Sequence, residues 1–380
     1  MEPTERSKWP ARIGAAAVAA LLLLVVGGTW TYSNQLRDEL VLIDDSEVVA
    51  DIEVVTVGSG RITVARTPLT ETEGIWGVAG PNGYGQASVV ISTTDEVVER
   101  GFRVLSGEFD VGEQVAFDPI AYPGDPLEAH GIEFREVRFT GDLGVYPAWV
   151  IDGDRDAWVI IVHGAGPEQR AEALRLLPGL VAQRLSVMVM TVRGDRGAPR
   201  PTTGLRALGA TEWRDLASAV EFGFNQDATE YVLIGLDTGA SVVANYLHRA
   251  DDISAVRGVV YDSALFDPER IADRVAEELG VFALLRGAGK LLASIRFDID
   301  WNELDQIDRA PEYTVPVLVM HGELDEVTDI EVAEEFVAEL GNLARFVRFE
   351  TGRHGQLWNS DPSTYEDALL GFIDTVRAAE

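Results

Sequence analysis

A regular alternation of strands and helices in the C-terminal two thirds of the chain restricts the fold more than any other feature. After two strand-like segments at 133–140 and 145–152, uniformly apolar runs occur at 158–162, 186–192, 231–235, 256–261, 315–320 and 344–349, and helical stretches at 168–183, 210–225, 239–249, 329–340 and 362–379. Uniformly apolar strands are typical of a mostly parallel sheet that helices cover on both faces. We therefore predict an α/β fold with its functional residues at the carboxyl ends of the strands.

A different pattern precedes this region. Short β-branched runs at 51–57, 61–67, 87–92 and 96–104 are separated by glycine-containing turns. This pattern predicts a small β-rich domain over residues 33–130, followed by the α/β domain over 131–380. We find no cluster of catalytic residue types in the β-rich part.

The N-terminus contains an uncharged stretch of 18 residues, Ile13 to Trp30. Lys8 and Arg12 precede it and acidic residues dominate after it, which favours a cytoplasmic segment 1–12 and a transmembrane helix over 13–32. The main domains would then lie outside the cytoplasm, anchored to the cell membrane through this helix. A cleaved signal peptide remains the alternative.

Charge and composition limit the partners. The 31 basic and 63 acidic residues give a net charge of −32, which repels polyanions and argues against nucleic acid as a partner. No histidine has metal-ligand spacing with a second one, and no glycine-rich phosphate loop follows a strand. We therefore expect no metal and no cofactor, and a small molecule as the substrate or ligand.

The first candidate motif, His163-Gly164-Ala165-Gly166, follows an apolar strand directly. Small residues at such a turn leave backbone N–H groups free to face a cleft, as an oxyanion hole requires. An ordinary strand-to-helix turn is the alternative interpretation.

The second motif, Gly235-Leu236-Asp237-Thr238-Gly239, has the spacing of a nucleophile elbow between a strand and a helix. The central side chain of such a turn is raised at the edge of the sheet, and here it is a carboxylate. Aspartate is also a favoured helix N-cap, so Asp237 could simply cap the helix that follows.

Two further residues complete a chain order of nucleophile, acid and histidine. Asp325 lies in the loop after the strand at 315–320, and His354 lies in the loop after the strand at 344–349. An acid at such a position can orient the imidazole of a general base.

With these motifs, residues 131–380 resemble the α/β-hydrolase superfamily. Over nearly its whole length the chain looks similar to an actinobacterial membrane-anchored branch, which it resembles at residues 121–126, 209–215 and 354–359. The resemblance implies Asp237 as nucleophile, Asp325 as acid and His354 as base, with the N–H groups of Ala165 and Thr238 as the oxyanion hole. It also implies a helical cap at about 263–311 and hydrolysis of a small ester, amide or alkyl substrate.

The elbow departs from that family in one residue, because serine is expected where Asp237 stands. Haloalkane dehalogenases and epoxide hydrolases of the superfamily use such an aspartate to attack a saturated carbon. The helper groups of both enzymes are absent. A dehalogenase normally has a tryptophan directly after the aspartate, where this chain has Thr238, and an epoxide hydrolase uses tyrosines of the cap, whereas 263–311 contains no tyrosine. Three hypotheses stay open: a hydrolase that uses Asp237 as nucleophile or to activate water, a non-catalytic binding or scaffold protein, and a cell-envelope structural protein.

Overall fold

The computed structural model describes residues 9–43, 49–153, 156–166 and 169–378. Most of the predicted cytoplasmic segment 1–12 lies outside these residues. The chain divides into two units, one of residues 1–42 and 268–303 and the other of residues 43–267 and 304–380.

The described helices and strands follow one another along the chain with few long connections. The helices are α1 (Trp9–Leu36), α2 (Pro68–Glu71), α3 (Pro126–His130), α4 (Leu177–Ala182), α5 (Trp213–Phe224), α6 (Thr238–Arg249), α7 (Pro268–Glu278), α8 (Ala283–Phe297), α9 (Trp301–Leu304), α10 (Ile330–Leu340), α11 (Leu357–Ser360) and α12 (Pro362–Ala378). The strands are β1 (Ile52–Gly58), β2 (Arg61–Ala65), β3 (Trp76–Ala79), β4 (Gly83–Thr93), β5 (Val97–Gly107), β6 (Gln114–Asp118), β7 (Arg135–Gly141), β8 (Gly144–Ile151), β9 (Ala157–Val162), β10 (Ser186–Met190), β11 (Glu230–Leu236), β12 (Val256–Asp262), β13 (Val317–Gly322) and β14 (Ala344–Phe349).

The β-rich part of the chain is a closed barrel. Strands β1 to β6 pair in the order β1-β2-β5-β4-β3-β6, and β6 pairs with β1 to close the barrel. Alternate side chains of these strands, such as those of Val54, Ile62 and Val78, are fully buried and pack around Trp76. The prediction of a small β-rich unit ahead of the α/β region is therefore confirmed.

Strands β7 to β14 form one sheet in the order β14-β13-β12-β11-β9-β10-β8-β7. The strands from β9 onward are parallel, and β7 and β8 add an antiparallel edge. Apolar side chains of α5, α6 and α10 pack on one face, and those of α4 and α12 pack on the other. Burial on both faces explains the uniformly apolar strands, and the α/β prediction is confirmed.

One predicted helix differs from the structure. The stretch 168–183 was expected to be a single helix, but it consists of a 3-10 helix, Gln169–Leu176, followed by α4. Pro178 lies in the first turn of α4, where its missing N–H costs no hydrogen bond, whereas inside a long helix it would break one. The irregular first part places Glu172 and Arg175 away from regular helix geometry.

Helix α1 packs against helices of the insert between β12 and β13 in its own unit. The Tyr32 side chain is 1% exposed, and its hydroxyl donates a hydrogen bond to the Ala272 carbonyl at 2.6 Å. Arg296 of α8 donates hydrogen bonds to Ser33 and Asn34. The C-terminal turns of α1 are thus held by polar contacts with protein groups.

Among the described residues, no helix combines the length and apolar character needed to cross a membrane. The transmembrane helix predicted over 13–32, and the membrane contact that it implied, are therefore not supported. The location of the main domains outside the cytoplasm stays a prediction.

Candidate active site

The strand-to-helix turn at Asp237 has the geometry of a nucleophile elbow. Asp237 adopts φ 48° and ψ −119°, which is rare for a residue with a side chain. Gly235 and Gly239 flank it, and a Cβ at Gly239 would lie 2.2 Å from the carbonyl oxygen of Val162. Asp237 makes no capping hydrogen bond to α6, so the N-cap interpretation does not describe its side chain.

The two carboxylate oxygens of Asp237 have different partners. Oδ2 accepts a hydrogen bond from the N–H of Ala165 at 3.3 Å. Oδ1 lies 3.1 Å from Nε2 of His354. Partial burial acts to raise the pKa of Asp237, but the hydrogen bond and charge of His354 outweigh it and hold this pKa below its ordinary value.

His354 lies between two carboxylates. Its Nδ1 is 2.9 Å from Oδ2 of Asp325, and its Nε2 faces Asp237. Burial lowers the pKa of His354, but the hydrogen bonds and charges of the two aspartates outweigh it and raise the pKa to about 10. At neutral pH the ring is therefore an imidazolium that donates one hydrogen bond to Asp325 and one to Asp237.

The loop after β13 holds Asp325 firmly. Its Oδ1 accepts N–H groups of Val327 and Thr328, each at 2.8 Å, and the Thr328 hydroxyl donates to its Oδ2 at 2.8 Å. Burial alone would raise the pKa of Asp325, but His354 and these N–H donors keep it below its ordinary value. Asp325 is thus an anion that fixes the orientation of the His354 ring.

The ring of His163 supports the turn that contains Gly164 and Ala165. Its Nε2 is 2.8 Å from Oδ2 of Asp195, and its Nδ1 is 2.7 Å from the carbonyl oxygen of Gly164. Burial acts to lower the pKa of His163, but the charge and hydrogen bond of Asp195 outweigh it and raise this pKa. His163 is a positioning residue for Gly164 and Ala165.

Sequence reasoning missed two residues beside the site, Glu172 and Arg175. Oε2 of Glu172 accepts the N–H of Gly164 at 2.8 Å, and a Cβ at Gly164 would lie 2.8 Å from Oδ2 of Asp237 and 3.3 Å from this Oε2. Arg175 lies 3.5 Å from Oε1 of Glu172 and 3.6 Å from Asp262. Asp195 was missed as well, although it follows the carboxyl end of β10, where functional residues of a parallel sheet are expected.

The site opens into a cavity of about 190 Å³. Asp237, His354, Glu172 and Arg175 line it, together with the turn residues Gly164 and Gly166 and with Pro119, Ile120, Gln169, Gly355 and Gln356. Asn359 fixes the wall that Pro119 and Ile120 form, because its Nδ2 donates to the carbonyl oxygens of Ile75 and Pro119 at 2.6 and 2.7 Å.

The structure thus brings Asp237, Asp325 and His354 together with the N–H groups of Ala165 and Thr238, as the sequence predicts. Gly164 and Gly166 line the cavity, whereas His163 lies behind the turn. Within the described ranges, no three His, Asp or Glu side chains are placed to hold a metal ion.

No protein-family model and no curated protein matches the sequence. Solved structures do match: an esterase of Pyrococcus furiosus, in three crystal forms, is 15, 14 and 13% identical to this chain with TM-scores of 0.54, 0.53 and 0.53. Each match covers 67% of this chain and 95, 97 or 94% of the esterase. The resemblance to the actinobacterial branch stays a prediction. At this level of identity the likeness concerns the fold, and the chain has the α/β-hydrolase fold.

Proposed function

We propose that this chain is a hydrolase in which Asp237 attacks a saturated carbon atom of a small substrate and forms an alkyl ester. One observation carries the proposal: Oδ2 of Asp237 accepts the N–H of Ala165, Oδ1 lies 3.1 Å from Nε2 of His354, and the residue lines the cavity. An ester of Asp237 needs this arrangement, because its carbonyl oxygen must sit at the N–H donors and its alkyl oxygen must face the substrate.

The same arrangement argues against ordinary ester hydrolysis. A substrate carbonyl oxygen would need the N–H groups of Ala165 and Thr238, but the Asp237 carboxylate already accepts the N–H of Ala165. Attack of a carboxylate on an ester would also give an anhydride, and such an intermediate is a poor route to hydrolysis of the ester. We therefore assign displacement at carbon, with a leaving group that departs with the bonding electron pair.

Ester formation would also change His354. Two carboxylates raise the pKa of His354, and alkylation would remove the negative charge of one of them. The imidazolium could then release its proton to solvent and act as the base that activates water. Attack of this water on the ester carbonyl would place an oxyanion at the N–H groups of Ala165 and Thr238, and its collapse would restore Asp237.

The size of the cavity restricts the substrate. About 190 Å³ accommodates a compact organic molecule of a few carbon atoms, and Pro119, Ile120 and the glycines give it largely apolar walls. A small apolar electrophile fits this space.

Mass spectrometry tests the proposal directly. We expect a panel of small alkyl halides and epoxides to leave an adduct on the peptide that contains Asp237, and His354→Ala to accumulate it because ester hydrolysis is blocked. Absence of both adduct and turnover across the panel would contradict the proposal.

A second candidate is a binding protein that holds a ligand without turnover. It is favoured by the ion pair of Asp237 with His354, which neutralises the carboxylate and ties up its Oδ1. Asp237→Ser separates the candidates further: hydrolysis of short p-nitrophenyl esters by this variant would show that the remaining groups can support catalysis. Ligand binding to the natural chain with no adduct and no turnover would favour the binding protein.

A further inference from the structure

The cavity contains a second carboxyl group beside the nucleophile. Oε2 of Glu172 is anchored by the N–H of Gly164 at 2.8 Å, on the same turn that donates to Asp237. Oε1 has a single contact among the described residues, a hydrogen bond from Arg175 at the long distance of 3.5 Å. Glu172 therefore has one oxygen fixed by the oxyanion turn and one oxygen with capacity to bind a proton.

The surroundings of Glu172 raise the pKa of its carboxyl group. Its side chain is 15% exposed, and burial together with the charge of Asp237 raises this pKa, while Arg175, the Gly164 N–H and His163 act in the opposite direction. Arg175 does not serve Glu172 alone, because this cation also lies 3.6 Å from Asp262 and donates to the Gly355 carbonyl oxygen. The negative charge of Asp237 in the same cavity disfavours ionisation of Glu172.

We propose that Glu172 is the general acid that protonates an oxygen leaving group, and that the substrates of Asp237 are small epoxides. This assignment rests on the proposed function. A halide leaves as a stable anion and needs no proton, whereas the oxygen of an epoxide leaves as an alkoxide and does. A carboxyl group that lines the same cavity as the nucleophile serves the second reaction, because it can give up a proton.

The atoms and protons balance over the cycle. Oδ1 of Asp237 forms a bond to one epoxide carbon as that carbon's bond to oxygen breaks, and the oxygen takes the electron pair and the Glu172 proton. His354 first loses a proton to solvent and then deprotonates the water that attacks the ester carbonyl. The released alkoxide takes that proton from His354, and the proton left on the regenerated Asp237 carboxyl passes to His354. Glu172 recovers a proton from solvent, so one epoxide and one water give one diol.

A pair of reagents with the same carbon skeleton tests the assignment, for example 1,2-epoxybutane and 1-bromobutane. The rate constant of adduct formation on Asp237 is measured for each by quenched-flow mass spectrometry in the His354→Ala background, with and without Glu172→Gln. Glutamine keeps the acceptor for the Gly164 N–H but has no acidic proton. We expect the ratio of the epoxide rate constant to the bromide rate constant to fall by about 100-fold or more.

Glu331→Gln, on the exposed surface of α10, is the matched control and should leave this ratio unchanged. A second measurement needs no change at Glu172: as pH rises, epoxide alkylation should decline when Glu172 loses its proton, and bromide alkylation should not follow it. Adducts from both reagents with an unchanged ratio, or with parallel pH profiles, would overturn the role of Glu172 alone. No adduct from either reagent would overturn the proposed function and this assignment with it.

Discussion

The two halves of the candidate site differ in how they use charge. In the base half, His354 and Asp325 form the pair expected of any α/β-hydrolase-fold enzyme, and Thr328 holds Asp325 in place. In the nucleophile half, the Asp237 carboxylate lies at the elbow and accepts the N–H of Ala165, and Glu172 accepts the neighbouring N–H of Gly164. A serine site keeps its oxyanion N–H groups free for substrate, whereas here the protein supplies the oxygen atoms that occupy them.

The largest effect is expected from the nucleophile itself. Asp237→Asn keeps the shape of the side chain but removes its negative charge, so adduct formation and turnover should fall by about 10³-fold or more. The exposed Asp251→Asn is a control of the same chemistry and should change neither. Full turnover in Asp237→Asn, measured by product formation, would mean that the nucleophile half takes no part in the reaction.

Asp325→Asn probes the base half and should separate the two chemical steps. Attack on carbon does not need His354 as a base, whereas hydrolysis of the ester needs a correctly oriented His354. We expect turnover to fall by about 10² to 10³-fold while the adduct on Asp237 accumulates. Equal slowing of adduct formation and adduct hydrolysis, followed by time-resolved mass spectrometry, would show that the halves do not act in sequence.

Gly164→Ala should disturb the nucleophile half alone. The new Cβ would lie 2.8 Å from Oδ2 of Asp237 and 3.3 Å from Oε2 of Glu172, so one or both carboxylates must move. We expect adduct formation to slow by about 10 to 100-fold and stability to fall by about 1 to 3 kcal/mol. Gly287→Ala in α8 is the control, because it lies outside the cavity lining and a Cβ there has no neighbour within 4 Å among the described residues. Equal effects of the two variants would contradict the close fit at Gly164.

The last prediction concerns stability and the ion pair between His354 and Asp237, which joins the two halves of the site. The pKa of His354 is raised to about 10 from an ordinary value of 6.5, so its stabilising contribution is complete below pH 6.5 and is lost as pH rises towards 10. The free energy of unfolding should therefore decline over this range, by at most about 1.4 kcal/mol per pH unit from this group. Asp237→Asn should weaken the decline in chemical denaturation curves, and an identical slope in both proteins would contradict the ion pair.

The sequence predicts the parts of the site that follow strands. Asp237, Asp325 and His354 were identified because each lies in a loop after an apolar strand, and the parallel sheet brings such loops to one edge. Glu172 and Arg175 were not identified, because they belong to an irregular 3-10 segment whose composition resembles any solvated helix. Their importance depends on the position of Gly164, a long-range contact that no local pattern encodes.

The transmembrane helix predicted at the N-terminus finds no support among the described residues. An uncharged run of residues has the same composition whether lipid or protein surrounds it, and hydropathy alone does not distinguish the two. Tyr32 and Ser33 lie at the end of that run, and their partners Ala272 and Arg296 are more than two hundred residues away in the chain. The sequence holds no local sign of these contacts.

The wall at Pro119 and Ile120 has a consequence for how such a protein can diversify. The reacting groups belong to loops of the sheet, whereas this wall belongs to the segment that leaves the barrel and is held by Asn359. Substitutions or insertions in the barrel exit can therefore alter which molecules are admitted while Asp237 and His354 keep their positions. This part of the cavity wall is encoded in a stretch of the gene separate from those that encode Asp237 and His354.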